Sequence, residues 1–236
     1  MPARESSQTA AGPVTQRPIH AMLVANAATH KFHHPPALQP RHRQVARKAI
    51  WWRHRHPGIP CTLAKLDVSR AFKWHDVRPS DAGDFGSALP GGAVGVEGRV
   101  KMIYGGMPFG WSGAPGEYMI FALAARSLHE SYGPYHPEVN GPTRFSSEWL
   151  MDDSVAVEPL VGTRPWQAVD CMGHAIRTVW GDDALNPPKQ VEEGTPGPTQ
   201  IVWGLHMDMR AMTCRLPEPK ALKPSQSYSM DPERSD

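Results

Sequence analysis

Two adjacent acids, Asp152 and Asp153, interrupt an otherwise apolar stretch, and no other feature of the chain limits its folding so tightly. Trp149-Leu150-Met151 precedes them and Val155-Ala156-Val157 follows. Neighbouring like charges repel, and burying either one unpaired is expensive. Short apolar runs bounded by such a break read as strands. The pair therefore predicts a hairpin, with arms Phe145–Met151 and Ser154–Val157 and both acids at its tip. A water-exposed acidic turn satisfies this pattern. So does a cation site, because hard divalent ions such as Mg²⁺ favour carboxylate oxygens and convert the repulsion into binding.

A third acid has a comparable setting. Asp67 closes an apolar strand expected over Thr62–Val68, within Lys65-Leu66-Asp67-Val68-Ser69-Arg70-Ala71-Phe72. A carboxylate at a strand end is exposed enough to meet a ligand and rigid enough to hold it. A turn or helix-cap role suits an Asp there as well. Three acids brought together from separate strands can hold two metal ions. Such ions, about 3.5–4 Å apart, clamp the attacking and leaving oxygens of a phosphoryl transfer. Between the acids lies Gly105-Gly106-Met107-Pro108-Phe109-Gly110-Trp111-Ser112-Gly113-Ala114-Pro115. This glycine-rich turn opening a helix lets backbone approach a nucleotide closely, or is simply a loop. It is no P-loop, since no Gly-Lys-Ser/Thr follows.

The remaining elements follow from periodicity. Gly95–Tyr104 alternates as a strand. Ala114–His129 has helical spacing, with Tyr118, Phe121, Ala122, Ala125 and Leu128 recurring on one side. Residues 131–143 read as a Pro/Gly loop. Thr163 is a plausible cap and Pro165 a first-turn residue for a helix running through Trp166, Val169, Met172, Ile176 and Val179, closed by Gly181. Ile201–Leu205 and Ala211–Leu216 are late strands. From Cys61 the order is strand, strand, helix, hairpin, helix, strand pair. That order predicts an α+β fold with helices backing an antiparallel sheet.

Charge divides the chain of 236 residues. Residues 1–60 balance to +8 and the rest to −6. Four segments are expected: a disordered basic N-terminal segment over 1–40, a basic helix and linker over 41–60, an ordered domain over 61–216, and a disordered tail over 217–236. The helix, Arg41–His56, is expected to place Val45, Ile50 and Trp51 on its apolar side. A basic arm beside an acidic domain suits a polyanion, and a solvated leader has the same composition. Trp51-Trp52-Arg53-His54-Arg55 can stack on bases and contact phosphates, or form a half-buried amphipathic turn. His33, His34, His54 and His56, with no Cys partner, are a weak zinc signal. Cys61, Cys171 and Cys214 are widely spaced, which favours a reducing, intracellular setting over a secreted disulfide framework. No run approaches the roughly 18 apolar residues of a spanning helix, so a soluble protein without a membrane partner is expected.

Together these pieces resemble the reverse transcriptases of retrotransposons over roughly residues 60–216. Leu66-Asp67-Val68-Ser69-Arg70-Ala71-Phe72 resembles the first palm motif of that family, and Met107-Pro108-Phe109-Gly110 with Ala114-Pro115 resembles the second. Leu150-Met151-Asp152-Asp153 is similar to the aromatic-x-Asp-Asp hairpin. Asn186-Pro187-Pro188-Lys189 is similar to a later segment ending in lysine, and Val202-Trp203-Gly204-Leu205 to the strand that grips the primer. The resemblance implies a polymerase palm with incomplete fingers and thumb. It implies RNA-directed DNA polymerase activity on a primed RNA or DNA template with deoxynucleoside triphosphates. It also implies two Mg²⁺ ions (or Mn²⁺) held by Asp67, Asp152 and Asp153. Val68 then lends its backbone to one ion. Phe72 is the bulky gate against a ribose 2′-hydroxyl, and Phe109 and Gly110 border the incoming nucleotide. Lys189 stands near the triphosphate, as a charge partner or proton donor.

Departures from the family are equally specific. Leu150 stands where Tyr or Phe is usual, the Arg-x-x-x-Asp-Tyr-Arg stretch of the fingers has no counterpart, and nothing after Leu216 resembles a complete thumb, an RNase H domain or an integrase. A fragment of a longer element fits this pattern. So does an inactive remnant that at most binds nucleic acid through its basic arm. A second pair, Gly181-Asp182-Asp183, mimics viral RNA polymerases, but it follows a helix and Gly181 reads as a helix stop.

Overall fold

Six consecutive buried residues open the segment Cys61–Asp67, which a strand achieves only when both of its faces are covered. In the computed structural model, which describes residues 22–185 and 187–217, this segment is β1. It lies antiparallel to β5 (Asp153–Pro159), and β5 pairs on its other edge with β4 (Ser147–Leu150), giving the order β1-β5-β4. Against one face pack α3 (Ala114–Ser131) and α5 (Arg164–Trp180), whose Tyr118, Met119, Ala122, Met172 and Ile176 bury Leu66, Trp149 and Ala156. Against the other pack α2 (His42–Arg55) and a small sheet of β6 (Thr199–Val202), β7 (Leu205–Asp208) and β8 (Thr213–Arg215). There Val45, Ala49, Trp52, Val202 and Met207 cover Leu63, Val155 and Val157. The architecture is α+β, with small antiparallel sheets and packed helices, as the order of elements predicts.

Several local expectations are corrected. The N-terminal region is ordered from Met22: α1 (Leu23–Ala28) leads to a 3₁₀ turn at Lys31–His33 and an extended run to Pro40. That run crosses the start of α3 so closely that a Cβ on Gly116 would collide with the carbonyl of Pro35. In α2 the buried side is Val45, Ala49 and Trp52, spaced i, i+4, i+7, while Ile50 and Trp51 are 47% and 40% exposed. Counting from Val45 at 100° per residue, Ala49 and Trp52 fall within about 40° of it, whereas Ile50 and Trp51 fall about 120–140° away. The strand expected over Gly95–Tyr104 shrinks to β3 (Arg99–Met102), paired with β2 (Ser87–Pro90). The loop over 131–143 contains α4 (Pro137–Asn140). Ile201–Leu205 is no single strand: Trp203 and Gly204, at φ 45° and 84°, turn the chain between β6 and β7. Two consecutive positive φ values match the two-residue turn that suits a twisted hairpin. Residues 1–21, Asn186 and the tail from residue 218 lie outside the described residues.

The junction of α3, β4 and α5 holds a fully buried histidine. Trp149 Nε1–H donates to Ser147 Oγ at 2.8 Å, Ser147 Oγ–H donates to His129 Nδ1 at 2.9 Å, and His129 Nε2–H donates to the Ala168 carbonyl at 3.1 Å. An indole only donates, so the chain of donors fixes the neutral tautomer with its proton on Nε2. Burial pulls the His129 pKa down to about 4, against the opposing pull of the Ala168 carbonyl. An unfolded histidine takes up its proton near pH 6.5, so this residue's stabilisation is complete above that pH and drains as pH falls towards 4. The loss is about 3 kcal/mol. Urea unfolding between pH 7 and pH 4.5 should show it, and His129→Gln should flatten that slope.

Candidate active site

The acids meet at one end of the β1-β5-β4 sheet. Asp67 is the direct cross-strand partner of Asp153, and Leu150 is the partner of Asp153 on the other side. Side chains opposite each other in an antiparallel pair share a face, with Cβ atoms about 4.5–5.5 Å apart. Asp152 sits in the turn between β4 and β5, beside Met151, whose φ of 54° is left-handed. A non-glycine residue there stores strain of about 1–3 kcal/mol. The turn is tied down because Val68 N–H donates to the Asp152 carbonyl at 2.9 Å, and Ser69 N–H donates to the Ala184 carbonyl at 2.7 Å. Met151 also packs against the core. Three acids separated by 86 residues of chain thus share one corner.

Lysines face two of these carboxylates. Lys189, on α6 (Pro187–Glu193), places Nζ 3.1 Å from Asp67 Oδ2. Lys65 lies two residues before Asp67 on the same face of β1 and is only 6% exposed. Its Nζ is 3.1 Å from Glu193 and 3.3 Å from Asp153 Oδ1. The latter is an ion-pair distance, yet the angle leaves Asp153 Oδ1 buried without a hydrogen bond. Burial pushes the Asp153 carboxyl up to about 6; Lys65 opposes this, and Glu193 and Asp67 add to it. For Lys189, burial pulls the pKa down, but the hydrogen bond and charge of Asp67, with Glu193 and Asp153, outweigh it and leave it raised. Tyr118, on α3, is fully buried, its hydroxyl without a hydrogen-bond partner. Burial raises its pKa, and the charges of Asp152 and Asp67 raise it further.

Phe72, five residues after Asp67, heads an aromatic cluster. Phe72 meets Phe109 edge-on at 5.1 Å between ring centroids, and Tyr118 at 5.2 Å. Phe109 is 41% exposed at the glycine-rich turn, where Gly110 adopts φ 95°. That turn is held by the N-terminal segment: Asn26 Nδ2 donates to the Gly110 carbonyl at 2.9 Å, and Ser112 N–H donates to Asn26 Oδ1 at 2.7 Å. From the opposite side, Trp203 Nε1–H donates to the Asp153 carbonyl at 3.2 Å. The side chain of Val68 is buried in the core and its N–H is committed to Asp152.

The donor set at the corner is chemically suited to a hard cation: carboxylate oxygens, one of them buried and lacking a hydrogen bond, each of two acids already facing an ammonium. Among the described residues, no three His, Cys, Asp or Glu side chains converge as a metal-binding group. Ions at this corner would therefore require Lys189, 46% exposed, to swing away from Asp67. Asp182 and Asp183 form a 3₁₀ turn after α5, with Gly181 at φ 98° as the stop; both acids are exposed, and the turn meets the end of β1 only further on, where Leu185 bridges Val68. His34 is engaged by Glu117, its Nδ1 2.8 Å from Oε1. A cavity of about 1150 Å³ lies between the N-terminal segment and α3, lined by Trp74, His75, Phe85, Trp111, Phe121 and Trp180, and none of the three acids borders it. Among the described residues, no helix is long and apolar enough to cross a membrane.

Periodicity in the sequence was sufficient to put Lys65 on the face of Asp67. Glu193 and Tyr118 carried no comparable signal, Tyr118 reading only as a core position of a helix, whereas Trp203 lies in the segment that resembles the primer-gripping strand. No family model matches this chain, and no curated protein matches it.

Proposed function

We propose that this chain is the palm of an RNA-directed DNA polymerase of a mobile element, which adds deoxynucleotides to a primer on an RNA or DNA template. The observation that carries this reading is the cross-strand pairing of Asp67 with Asp153, with Asp152 in the adjoining turn. Asp67, Asp152 and Asp153 would hold two Mg²⁺ ions, or Mn²⁺ in their place. Such ions lower the pKa of a primer 3′-hydroxyl and steady the leaving pyrophosphate. Lys189, once released from Asp67, would meet the triphosphate, and Phe109 and Gly110 would border the incoming nucleotide, as the resemblance implies. Trp203, bonded to the backbone of Asp153, buttresses the hairpin from the side where a primer end approaches.

The test is extension of a DNA primer annealed to RNA, with Mg²⁺ or Mn²⁺, using the whole chain. No extension under either ion would overturn the reading. Phe72 supports a second measurement. Its ring is braced by Phe109 and Tyr118, which would hold it rigid in the role of gate against a ribose 2′-hydroxyl that the resemblance implies. Phe72→Ala should raise incorporation of ribonucleotides relative to deoxynucleotides by about 10–200-fold, the discrimination a shaped apolar contact supplies. Unchanged selectivity would remove Phe72 from that role.

A further inference from the structure

Helix α2 contains no Asp or Glu, and it carries Arg43, Arg47, Lys48, Arg53 and Arg55 along 14 residues. At 100° per residue, Arg43, Arg47, Ile50, Trp51 and His54 fall within an arc of about 100°, opposite the buried Val45, Ala49 and Trp52. All five residues of that arc are exposed, and so are Arg53 and Arg55 at its flanks. Among the described residues, none of these arginines forms an ion pair with a carboxylate of this chain. This stripe of exposed arginines on one helix face is a surface distinct from the acidic corner.

Its mounting is rigid. Trp52 Nε1–H donates to the Val157 carbonyl at 2.8 Å, which anchors the helix to β5. Trp51 stands edge-on to Trp52 at 4.5 Å between centroids. Lys48 Nζ lies 4.5 Å from the Trp51 ring centroid and the Arg55 guanidinium 5.5 Å from it, so the indole holds two cations in place. At its N-terminal end, His42 Nε2 bonds the Val202 carbonyl at 2.9 Å and its ring meets Trp203, the residue that donates to Asp153. The basic stripe therefore begins beside the acidic corner and runs away from it over about 20 Å, at 1.5 Å per residue.

We propose that the outer face of α2 is a phosphodiester track: it binds the sugar–phosphate backbone of RNA or DNA, without sequence preference, where the strand leaves the acidic corner. Arg43 and Arg47, one turn apart, are the principal phosphate contacts; Trp51 keeps Lys48 and Arg55 aligned beside them. This assignment rests on the proposed polymerase reading for its direction, from corner to helix, while the binding itself needs no catalysis. Guanidinium groups match phosphate oxygens two bonds at a time, which suits a backbone contact. Ile50 and Trp51 beside arginines would also suit an anionic lipid surface, and that is the rival the test must separate.

The experiment measures anisotropy of a fluorescein-labelled 30-nucleotide single strand, and of an RNA–DNA duplex, titrated with the whole chain over a range of salt. Arg43→Glu with Arg47→Glu should weaken both at least about tenfold and flatten the salt slope by about 0.7–0.9 per arginine removed. Arg43→Lys with Arg47→Lys should keep most of the affinity, and both variants should melt with the parent protein because these side chains are exposed. Asp152→Asn should bind like the parent; that result, with extension abolished, separates the track from the catalytic reading. Unaltered affinity and slope in the double Glu variant would overturn the proposal. So would binding to phosphatidylserine vesicles that the double Glu variant loses while nucleic-acid binding persists.

Discussion

Asp152→Asn should abolish primer extension in Mg²⁺ while leaving the fold intact. Asparagine keeps the size of the side chain and removes its charge, and a hard divalent ion binds a neutral amide oxygen far more weakly than a carboxylate. Loss of one charged ligand at a two-metal site is expected to lower the rate by about a thousandfold or more, roughly 4 kcal/mol at 1.36 kcal/mol per tenfold. Asp67→Asn should do the same. Asp182→Asn, in the 3₁₀ turn after α5, should extend primers normally, because its side chain is exposed and the turn is joined to the end of β1 through backbone bonds that Asn keeps. Stability should not fall in Asp152→Asn: the bond from Val68 N–H to the Asp152 carbonyl is a backbone bond that Asn keeps, and Asn keeps the size of the side chain. Extension by Asp152→Asn within tenfold of the parent would refute the ligand assignment, and a lowered melting temperature would refute the separation of site from fold.

The second large effect is expected far from the acids. Arg164 is 1% exposed and Glu158 2%, and the two are hydrogen-bonded in the interior. The guanidinium also donates to the Thr143 carbonyl at 2.7 Å and the Arg144 carbonyl at 3.2 Å. It lies 4.6 Å from the ring centroid of Trp52 and 5.2 Å from that of Phe145. One side chain thus ties together α5, the segment before β4, β5 and α2. Arg164→Met should destabilise the protein by about 3–5 kcal/mol, because it strands a buried carboxylate. For a chain of this size that lowers the melting temperature by roughly 6–20 °C. The loss should depend on pH. Burial pushes the Glu158 carboxyl up to about 7 even with Arg164 opposing it. Without the arginine its pKa rises further, so at pH 5.5 Glu158 is protonated in the folded variant and the penalty is relieved, whereas at pH 8 it is felt in full. Thermal melts of Arg164→Met at the two pH values test this, and a penalty no larger at pH 8 than at pH 5.5 would contradict it. Arg164→Met with Glu158→Gln should recover part of the loss, since no charge is then left buried.

Much of the corner was written into local sequence. The break of two acids between apolar runs demanded a hairpin tip, and the structure has β4, a turn and β5 at that place. The apolar run before Asp67 demanded a strand ending in an acid. Glycine at 181 demanded a stop, which is why the second acidic pair falls on a turn. These features are local: each depends on residues within a few positions of one another, so charge repulsion, periodicity and φ preferences decide them.

Partnership was decided only by tertiary structure. Nothing in either segment states that β1 pairs with β5 rather than with β4, yet that choice puts Asp67 opposite Asp153. The face of α2 shows the same limit. Its basic composition was plain, but whether Ile50 and Trp51 or Ala49 and Trp52 turned inward depended on the sheet it met, and the difference leaves Trp51 outside among arginines. Lys65, Lys189 and Glu193 became neighbours of the acids, and Tyr118 came to feel the charges of Asp67 and Asp152, through contacts spanning large stretches of chain. The sequence by itself therefore determined which elements form and where the acids stand on them, because those are questions of local sterics and local charge. Only the tertiary structure decided which acids face each other, which cations answer them and which basic face stays open to a partner, because burial is a property of the assembled surfaces.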